Sequence, residues 1–235
     1  MTPDQIYLTN QPVDRRDRAT VFAAIGIACG TKYAYKSADE ESYELMLALD
    51  MEEDLWYEGL EHSLFLPTDY VQCGEEYYVL SPLLSNCEDV VTRLQGIANN
   101  SGVLSKEFIR FVKDSCSAIA FCHDSLGIAH RDLDQVNNYL YSKDHDRYFL
   151  IDLNEAGPIE EEDESWYSWE TNQYFNALAS VLLGDNPLFQ NCRCEAEIMG
   201  LLGKTYGKEI KSIFNAFLEG DISFLELPQF LEPFT

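Results

Sequence analysis

Acidic and amide side chains in one stretch of the chain have the types and spacing needed for phosphoryl-transfer chemistry. The stretch reads GIAHRDLDQVNNYLYSKDHDRYFLIDLN, residues 127–154. Asn137 lies five residues after Asp132, and Asp152 ends the apolar run YFLI. Phosphoryl transfer requires Mg²⁺ ligands, a cation on the phosphates and a carboxylate beside the attacking hydroxyl. In this stretch Asp132 is the candidate for that carboxylate, and Asn137 and Asp152 are the candidate metal ligands.

The residues around these groups predict how they come together. SKDHDR is typical of a turn, and Tyr148 to Ile151 are typical of a strand that ends at Asp152. We therefore expect Asn137 and Asp152 to meet across a short hairpin and to share a metal ion. One amide oxygen and one carboxylate suit Mg²⁺ with bound phosphates.

The first 100 residues are predicted to be mostly strands with one helix. QIYLTNQPV and TVFAAIGIA are rich in strand-forming residues, and KYAYKSA completes a hairpin with Lys36 on its second strand. DYVQCG and EEYYVLSPLL form a further strand pair. Ser37 and Glu40 form a capping-box pattern, and apolar residues at 43, 47, 51 and 55 predict one helix or two short ones.

The second half of the chain is predicted to be helical. The runs SKEFIRFVKDSCSAIAFCHDSLG, TNQYFNALASVLLG and KEIKSIFNAFLEG each combine an apolar stripe with a glycine stop. Strands followed by helices favour an α+β fold with two lobes and a cleft between them. The length of 235 residues suits one domain or a tightly joined pair of lobes.

In these motifs the chain resembles the eukaryotic-type protein kinases. FVKDSCSAIAFCHDSLGIAHRDL resembles the helix and loop that enter the kinase catalytic loop, and YAYK at 33–36 resembles the V-A-I-K strand. YYVLSPLL at 77–84 resembles the strand into the hinge, and LASVLLGDNPLF at 178–189 resembles the end of the large buried helix of the C-lobe. The resemblance covers about residues 5–190 and is strongest from 108 to 154.

The resemblance implies a single kinase-like domain over 1–235, with an N-lobe at about 1–84 and a C-lobe at about 85–235. It implies ATP and Mg²⁺ as cofactors. Asp132 would be the base, and Lys36 would bind phosphates. Arg131 is counted among the catalytic residues, and together with His130 it would pack or orient the loop. Asn137 and Asp152 would bind the metal ion. The backbone groups of Leu80, Pro82 and Leu83 would contact adenine. For the glutamate that pairs with Lys36, the family's spacing favours Glu53, with Glu44 and Glu52 left open.

The chain departs from the kinase pattern at four places. No Gly-rich loop occurs; its place holds QPVDRRDRAT, whose Arg15, Arg16 and Arg18 either contact phosphates or are solvated. Asn154 replaces a glycine, and asparagine tolerates left-handed backbone. Asp134 replaces a lysine, so it would repel the γ-phosphate or recruit a basic substrate group. The segment after Asp152 is short and acidic, contains EEEDE, and lacks A-P-E and a basic cluster that could receive a phosphate.

These features leave three functions open. The first is an active compact kinase resembling the Ser/Thr type, because Lys36, Asp132, Asn137 and Asp152 are all present. The second is a pseudokinase that acts as a protein-binding module, because the Gly-rich loop is missing. The third is a small-molecule phosphotransferase, because the segment after Asp152 is short. The compact size resembles trimmed kinases carried by viruses or delivered into host cells by bacteria.

Composition excludes several other classes. The net charge of −25 argues against nucleic acid and anionic membranes as partners and is compatible with a basic protein substrate or partner. No apolar run approaches 18 residues, and the N-terminus has no secretory signal pattern. Seven cysteines at irregular spacings suit a reducing, cytoplasmic location rather than a disulfide framework, and CRC at 192–194 is too short for a metal motif.

Overall fold

A computed structural model describes residues 6–15, 20–26, 32–38, 42–50, 53–84, 86–94, 103–160, 165–184, 189, 192 and 194–235. For residues 6–15, 20–26, 43, 50, 53 and 54 the description is limited to the backbone. The described residues form an α+β structure, as the sequence predicts.

A five-stranded antiparallel sheet is built from the first third of the chain. Its order is β1-β2-β3-β5-β4, and the bounds are β1 Ile6–Arg15, β2 Thr20–Gly26, β3 Lys32–Ala38, β4 Asp69–Cys73 and β5 Glu76–Pro82. These are the predicted strands. Ala34 pairs with Ser81 and Lys36 with Val79. Because alternate residues share a face, these four side chains lie on one face of the sheet, opposite a cluster of Tyr33, Tyr35, Val71 and Leu80.

The helical region after β3 consists of two short helices, α1 Tyr43–Asp50 and α2 Glu53–Glu61. The predicted capping box at Ser37 is wrong, because Ser37 lies within β3 and the helix begins at Tyr43. Helix α1 packs on the sheet, where Leu45 and Ala48 cluster with Ala38 and Val79. This packing holds the first turn of α1 next to the face of β3 that carries Lys36.

The rest of the chain is mainly helical. After β6 Cys87–Asp89 come α3 Val90–Leu94, α4 Lys106–Asp124, α5 Ser165–Leu183, α6 Glu195–Tyr206, α7 Lys208–Leu218 and α8 Leu227–Leu231. The Ser105 side chain caps α4 by accepting a hydrogen bond from the backbone N–H of Phe108. After α4 the chain turns at Gly127, where φ is 65°. The predicted helices at α4, α5 and α7 are confirmed; α6 was not predicted.

Four short strands lie between α4 and α5. Strands β8 Tyr139–Ser142 and β9 Arg147–Leu150 form the predicted hairpin, and β8 also pairs with β6. Strands β7 Ile128–Ala129 and β10 Gly157–Pro158 form a separate pair. A 3₁₀ turn, Val136–Asn138, leads directly into β8. The residues with candidate chemistry therefore lie in the connections at the ends of these short strands.

The largest hydrophobic cluster of the described residues lies under the short strands. It surrounds α4 and α5 and includes Phe111, Tyr139, Tyr148 and Tyr174, each fully buried. The cysteines in the described part are free thiols, and those of α4 are buried. None of the described helices is both long enough and apolar enough to cross a membrane.

Candidate functional site

A cavity of about 490 Å³ lies where the five-stranded sheet faces the short strands. Its walls include residues from β3, β5, α1, β6, β8 and the ends of the β8–β9 hairpin. The lining residues used below are Ala34, Lys36, Glu44, Ser81, Pro82, Leu83, Asn137, Leu140, Ile151 and Asp152. This volume falls within the range of small-molecule sites, and the mixture of apolar walls and a few charged groups is typical of them.

Lys36 joins two acidic side chains inside this cavity. Its Nζ lies 2.8 Å from Glu44 Oε2 and 2.6 Å from Asp152 Oδ1. Burial alone would lower the pKa of Lys36, but the attraction of Glu44 and Asp152 outweighs it and holds that pKa above the usual value. Burial raises the pKa of Glu44, which Lys36 opposes. Lys36 is therefore a fixed cation in the cavity at neutral pH.

Glu44, rather than the favoured Glu53, is the glutamate that pairs with Lys36. Glu44 lies in the first turn of α1, and the residue as a whole is 5% exposed. Glu53 begins the separate helix α2, and its side chain is outside the described part of the chain. The family's spacing counts residues along the chain, whereas the chain forms two helices here and the first of them packs against β3 and β5. Glu44 was one of the alternatives left open.

Asp152 follows β9 as predicted, and its backbone is in the left-handed region with φ of 70°. This conformation is uncommon for a residue with a side chain, although aspartate is among the residues that tolerate it best. The next residue, Leu153, is fully buried and donates its backbone N–H to Glu44 Oε1 at 2.9 Å. Asn154, which stands where the kinase pattern has a glycine, accepts a hydrogen bond from Ser42 through its side chain. Helix α1 therefore contacts both Lys36 and the segment of Asp152.

The loop from His130 to Asp132 is tied to the same segment. His130 is fully buried; its Nδ1 accepts the backbone N–H of Asp132 at 3.4 Å, and its Nε2 lies 3.2 Å from the Ile151 carbonyl. Nε2 therefore carries the hydrogen, and burial lowers the pKa of His130, which favours the neutral ring. Burial also raises the pKa of Asp132, and the charges of Asp134 and Asp152 act in the same direction.

Arg131 takes a position away from the cavity lining. Its guanidinium donates to the Pro158 carbonyl at 3.2 Å and packs against Gly157, where a Cβ would lie 2.6 Å from its Cζ. Its backbone N–H donates to Glu170 Oε1 at 2.7 Å, and its carbonyl accepts from Gln173 at 3.0 Å. These contacts agree with the expectation that Arg131 orients the loop; they provide no contact with a substrate in the cavity.

Glu170 is a loop-anchoring residue that the sequence analysis missed. It lies on α5, is fully buried, and its second oxygen contacts His123 Nε2 at 2.5 Å. The position of this glutamate next to the aromatic residues of SWYSWE was the available signal. Buried acids require partners, and here the partners are the Arg131 backbone and His123.

Asn137 and Asn138 are both close to the candidate acids but have different surroundings. Asn137 is exposed and lines the cavity with Asp152, as the shared metal site requires. Asn138 is 2% exposed and contacts Asp132. The donors that face the cavity, an amide oxygen and a carboxylate, suit Mg²⁺, which takes few protein ligands and keeps water or phosphate oxygens. The residues present therefore fit the implied metal ion.

Two of the three residues predicted to contact adenine lie at the cavity, and the adenine contact itself stays a prediction. Pro82 and Leu83 line the cavity, and the Leu83 N–H donates to the Lys32 carbonyl at 3.0 Å. Leu80 does not line it, because its side chain packs on the opposite face of the sheet and its carbonyl accepts from Thr68. Phe65, Cys87 and Asp89 also line the cavity and were not predicted.

Several predicted features fall outside the described residues. Arg16 and Arg18 are not described, and Arg15 is described by its backbone alone, within β1. Of the EEEDE run, Glu160 is described and is exposed. Asp134 is exposed and accepts a hydrogen bond from Gln135 at 3.3 Å.

No protein-family model matches the chain, and no curated protein is similar enough to count as a match.

Proposed function

We propose that the protein is an ATP-dependent phosphotransferase with a compact, bilobal, protein-kinase-like fold. In this proposal residues 1–235 form one domain, with the sheet region up to about residue 84 as the N-lobe and the helical remainder as the C-lobe. ATP binds in the cavity between them, and a hydroxyl group accepts the γ-phosphoryl.

The observation that carries the proposal is the cavity in which Lys36 contacts both Glu44 and Asp152. Burying a charge is unfavourable unless it is paired, and apolar residues often stabilise a fold as well as a buried ion pair does. Stability alone therefore does not explain a cation between two carboxylates in this cavity. Phosphoryl transfer does need such a cation, together with acids that bind metal. The same cavity has an apolar wall at Ala34 and Leu140 that suits a flat purine ring.

Each residue has a role that follows from its place. Lys36 binds the phosphates, and Glu44 fixes the position of Lys36. Asn137 and Asp152 would hold Mg²⁺, which neutralises charge on the phosphate oxygens when bound. Asp132 receives the proton of the attacking hydroxyl, and its raised pKa makes it a better proton acceptor than an ordinary aspartate.

The acceptor favoured by the charges is a hydroxyl on a basic protein or peptide. Asp134, Glu155 and Glu160 are exposed on the same stretch as the candidate base and the segment after Asp152. In a chain with net charge −25, a cationic acceptor gains attraction where an acidic one is repelled. A serine or threonine hydroxyl meets the requirement, and a small-molecule hydroxyl is the alternative.

Thermal stability with ATP tests nucleotide binding. ATP with Mg²⁺ should raise the melting temperature more than ATP with EDTA, because the metal links the phosphates to Asn137 and Asp152. A ligand at 100 times its Kd adds about 2.7 kcal/mol to the free energy of unfolding. Asp152→Asn should remove the difference between the two conditions, and Asp221→Asn, an exposed aspartate after α7, should preserve it.

Other results would favour the other functions. Equal stabilisation by ATP in Mg²⁺ and in EDTA would favour a pseudokinase that binds nucleotide without metal. No stabilisation in either condition would overturn the proposal in favour of a binding module that takes no nucleotide.

A further inference from the structure

The two adjacent asparagines after the candidate base make different contacts. Asn137 satisfies the motif spacing and lines the cavity, whereas Asn138 is directed to Asp132. Asn138 Nδ2 donates to Asp132 Oδ2 at 2.7 Å and lies 3.0 Å from the Asp132 carbonyl oxygen. One amide nitrogen carries two hydrogens, so it can make both hydrogen bonds at once.

Asn138 also contacts the segment that carries Asp152. Its backbone carbonyl accepts the N–H of Ile151 at 2.9 Å, one residue before Asp152. Since its side chain is 2% exposed, water does not compete for its hydrogen bonds as it would at the surface. Asn138 therefore connects the loop of Asp132, through its side chain, to the end of β9, through its backbone.

We propose that Asn138 is a positioning residue that holds the Asp132 carboxylate in the orientation needed to accept a proton, while Asn137 faces the bound ligand. The inference rests on the proposed function. Asn138 donates to Oδ2, and among the described residues no donor contacts Oδ1, which leaves Oδ1 as the oxygen proposed to accept the proton. The two tasks fall on neighbouring residues because the 3₁₀ turn Val136–Asn138 directs one side chain outward and the next inward.

The matched pair Asn138→Leu and Asn137→Leu tests this division. Leucine keeps the branched outline of asparagine, is larger, and has no amide. Asn138→Leu should lower kcat for phosphoryl transfer by about 100-fold, the cost of a misplaced catalytic group, with the KM for ATP within about twofold of wild type. Asn137→Leu should raise the KM for ATP with Mg²⁺ and weaken the metal-dependent thermal shift. Wild-type kcat in Asn138→Leu, or the same KM change in both variants, would overturn the proposal.

A second measurement needs no activity. Thermal unfolding of wild type, Asn138→Leu, Asp132→Ala and the double variant forms a cycle that isolates the coupling of the two side chains. The loss of melting temperature caused by Asn138→Leu should shrink by more than half when Asp132 is already alanine. Equal losses in both backgrounds would mean that Asn138 does not hold Asp132. If Asn138→Leu does not fold, Asn138→Ala, which also lacks the amide, replaces it in both experiments.

The two measurements separate the inference from the function on which it rests. A wild-type protein that transfers no phosphoryl group overturns the proposed function, and the thermal cycle still decides whether Asn138 holds Asp132. An active wild type with an additive cycle overturns the positioning role and leaves the proposed function intact.

Discussion

Lys36 is held by two carboxylates of unequal burial. Glu44 has 7% of its side chain exposed and Asp152 has 29%. The more exposed partner is the one proposed to bind metal, and the more buried partner lies on a helix. A ligand that draws Asp152 away from Lys36 would therefore leave the Lys36–Glu44 pair in place, and this pair keeps Lys36 directed into the cavity.

Glu44→Gln should weaken ATP binding, because Lys36 would then pair with Asp152 alone and compete with the metal ion for it. It should also destabilise the fold, by less than the roughly 3–5 kcal/mol typical when one partner of a buried pair is lost, since Lys36 keeps Asp152. Glu53→Gln is the matched control. Calorimetric titration with ATP and Mg²⁺ measures the first effect; equal affinity losses in both variants would contradict the assignment of Glu44.

His130 should make stability depend on pH. Burial lowers its pKa in the folded protein, and the nearby charges of Glu170, Asp152 and Asp132 oppose burial without outweighing it. In the unfolded chain the ring takes a proton near pH 6.5, so below that pH the unfolded state binds more protons and stability falls toward acid. The contribution is present above the unfolded pKa and is lost as pH falls toward the lowered folded value.

Denaturant unfolding of wild type and His130→Phe between pH 7 and 5.5 measures how much of the pH dependence of stability comes from His130. Wild type should lose more stability toward acid than the variant, with a difference of at most about 1.4 kcal/mol per pH unit for one proton. The variant is expected to be less stable at every pH, since it lacks both ring nitrogens. Parallel pH dependences would show that His130 does not titrate with unfolding.

At the scale of elements, the sequence predicted those with strong local patterns. Strand β3, the β8–β9 hairpin and helices α4 and α7 each have clear periodicity and a stop signal, and all are confirmed. The start of α1 was misplaced because Ser37 and Glu40 imitate a capping box, whereas pairing with β5 extends β3 through Ala38. The capping-box pattern is local, so it carries no information about the pairing of β3 with β5 that overrides it.

The candidate site was predictable in its residues and less so in its partners. The spacing of Asp132, Asn137 and Asp152 placed the last two in one cavity as expected. The partner of Lys36 depended on whether one helix or two follow β3, which the apolar pattern left open. The contact between Asn138 and Asp132 depends on a 3₁₀ turn, and turns of this length have no periodicity to detect.

Two helical glycines give opposite predictions for element packing. A Cβ on Gly59 of α2 would lie 2.8 Å from Leu66 Cδ1, and Leu66 is fully buried, so Gly59→Ala should destabilise by about 1–3 kcal/mol. Apart from its chain neighbours and the backbone of its own helix, no atom of the described residues lies within 4 Å of a Cβ on Gly200 in α6. Gly200→Ala should therefore stabilise by about 0.5–1 kcal/mol, because alanine is the better helix former.

Thermal or urea unfolding of both variants measures these changes. If Gly59→Ala were neutral, α2 would not pack closely on the Leu64–Leu66 segment. If Gly200→Ala were destabilising, the helix α6 would be packed more tightly there than the structure describes.

For the molecule as a whole, the cavity lies between the five-stranded sheet and the short strands. The sheet has a small cluster on each face, and the large cluster around α4 and α5 also includes Leu64 and Leu66, from the segment before β4. Three polar contacts join the two sides of the cavity: Lys36 with Asp152, Glu44 with the Leu153 N–H, and Ser42 with Asn154. A ligand bound across such contacts would affect both regions, which is why nucleotide-dependent stability is informative about the whole molecule.

The net charge of −25 also acts at this scale. It disfavours the approach of nucleic acid and other polyanions, and under the proposed function it favours basic acceptors, whose attraction salt would screen. ATP is also an anion, so the proposed binding would require Lys36 and a metal ion to offset the charge of the protein.

Transfer of labelled phosphate from ATP is the measurement that tests the central claim most directly. The acceptors are the protein itself and a generic basic substrate, and the variants are Asp132→Asn and Lys36→Met. We predict measurable transfer by wild type and a loss of orders of magnitude in both variants, since positioning and charge supply most of the rate. Asp132→Asn should keep nearly the wild-type melting temperature, because its carboxylate is half-buried and Asn retains its shape. A wild type as silent as Asp132→Asn on every acceptor, at equal stability, would contradict the account.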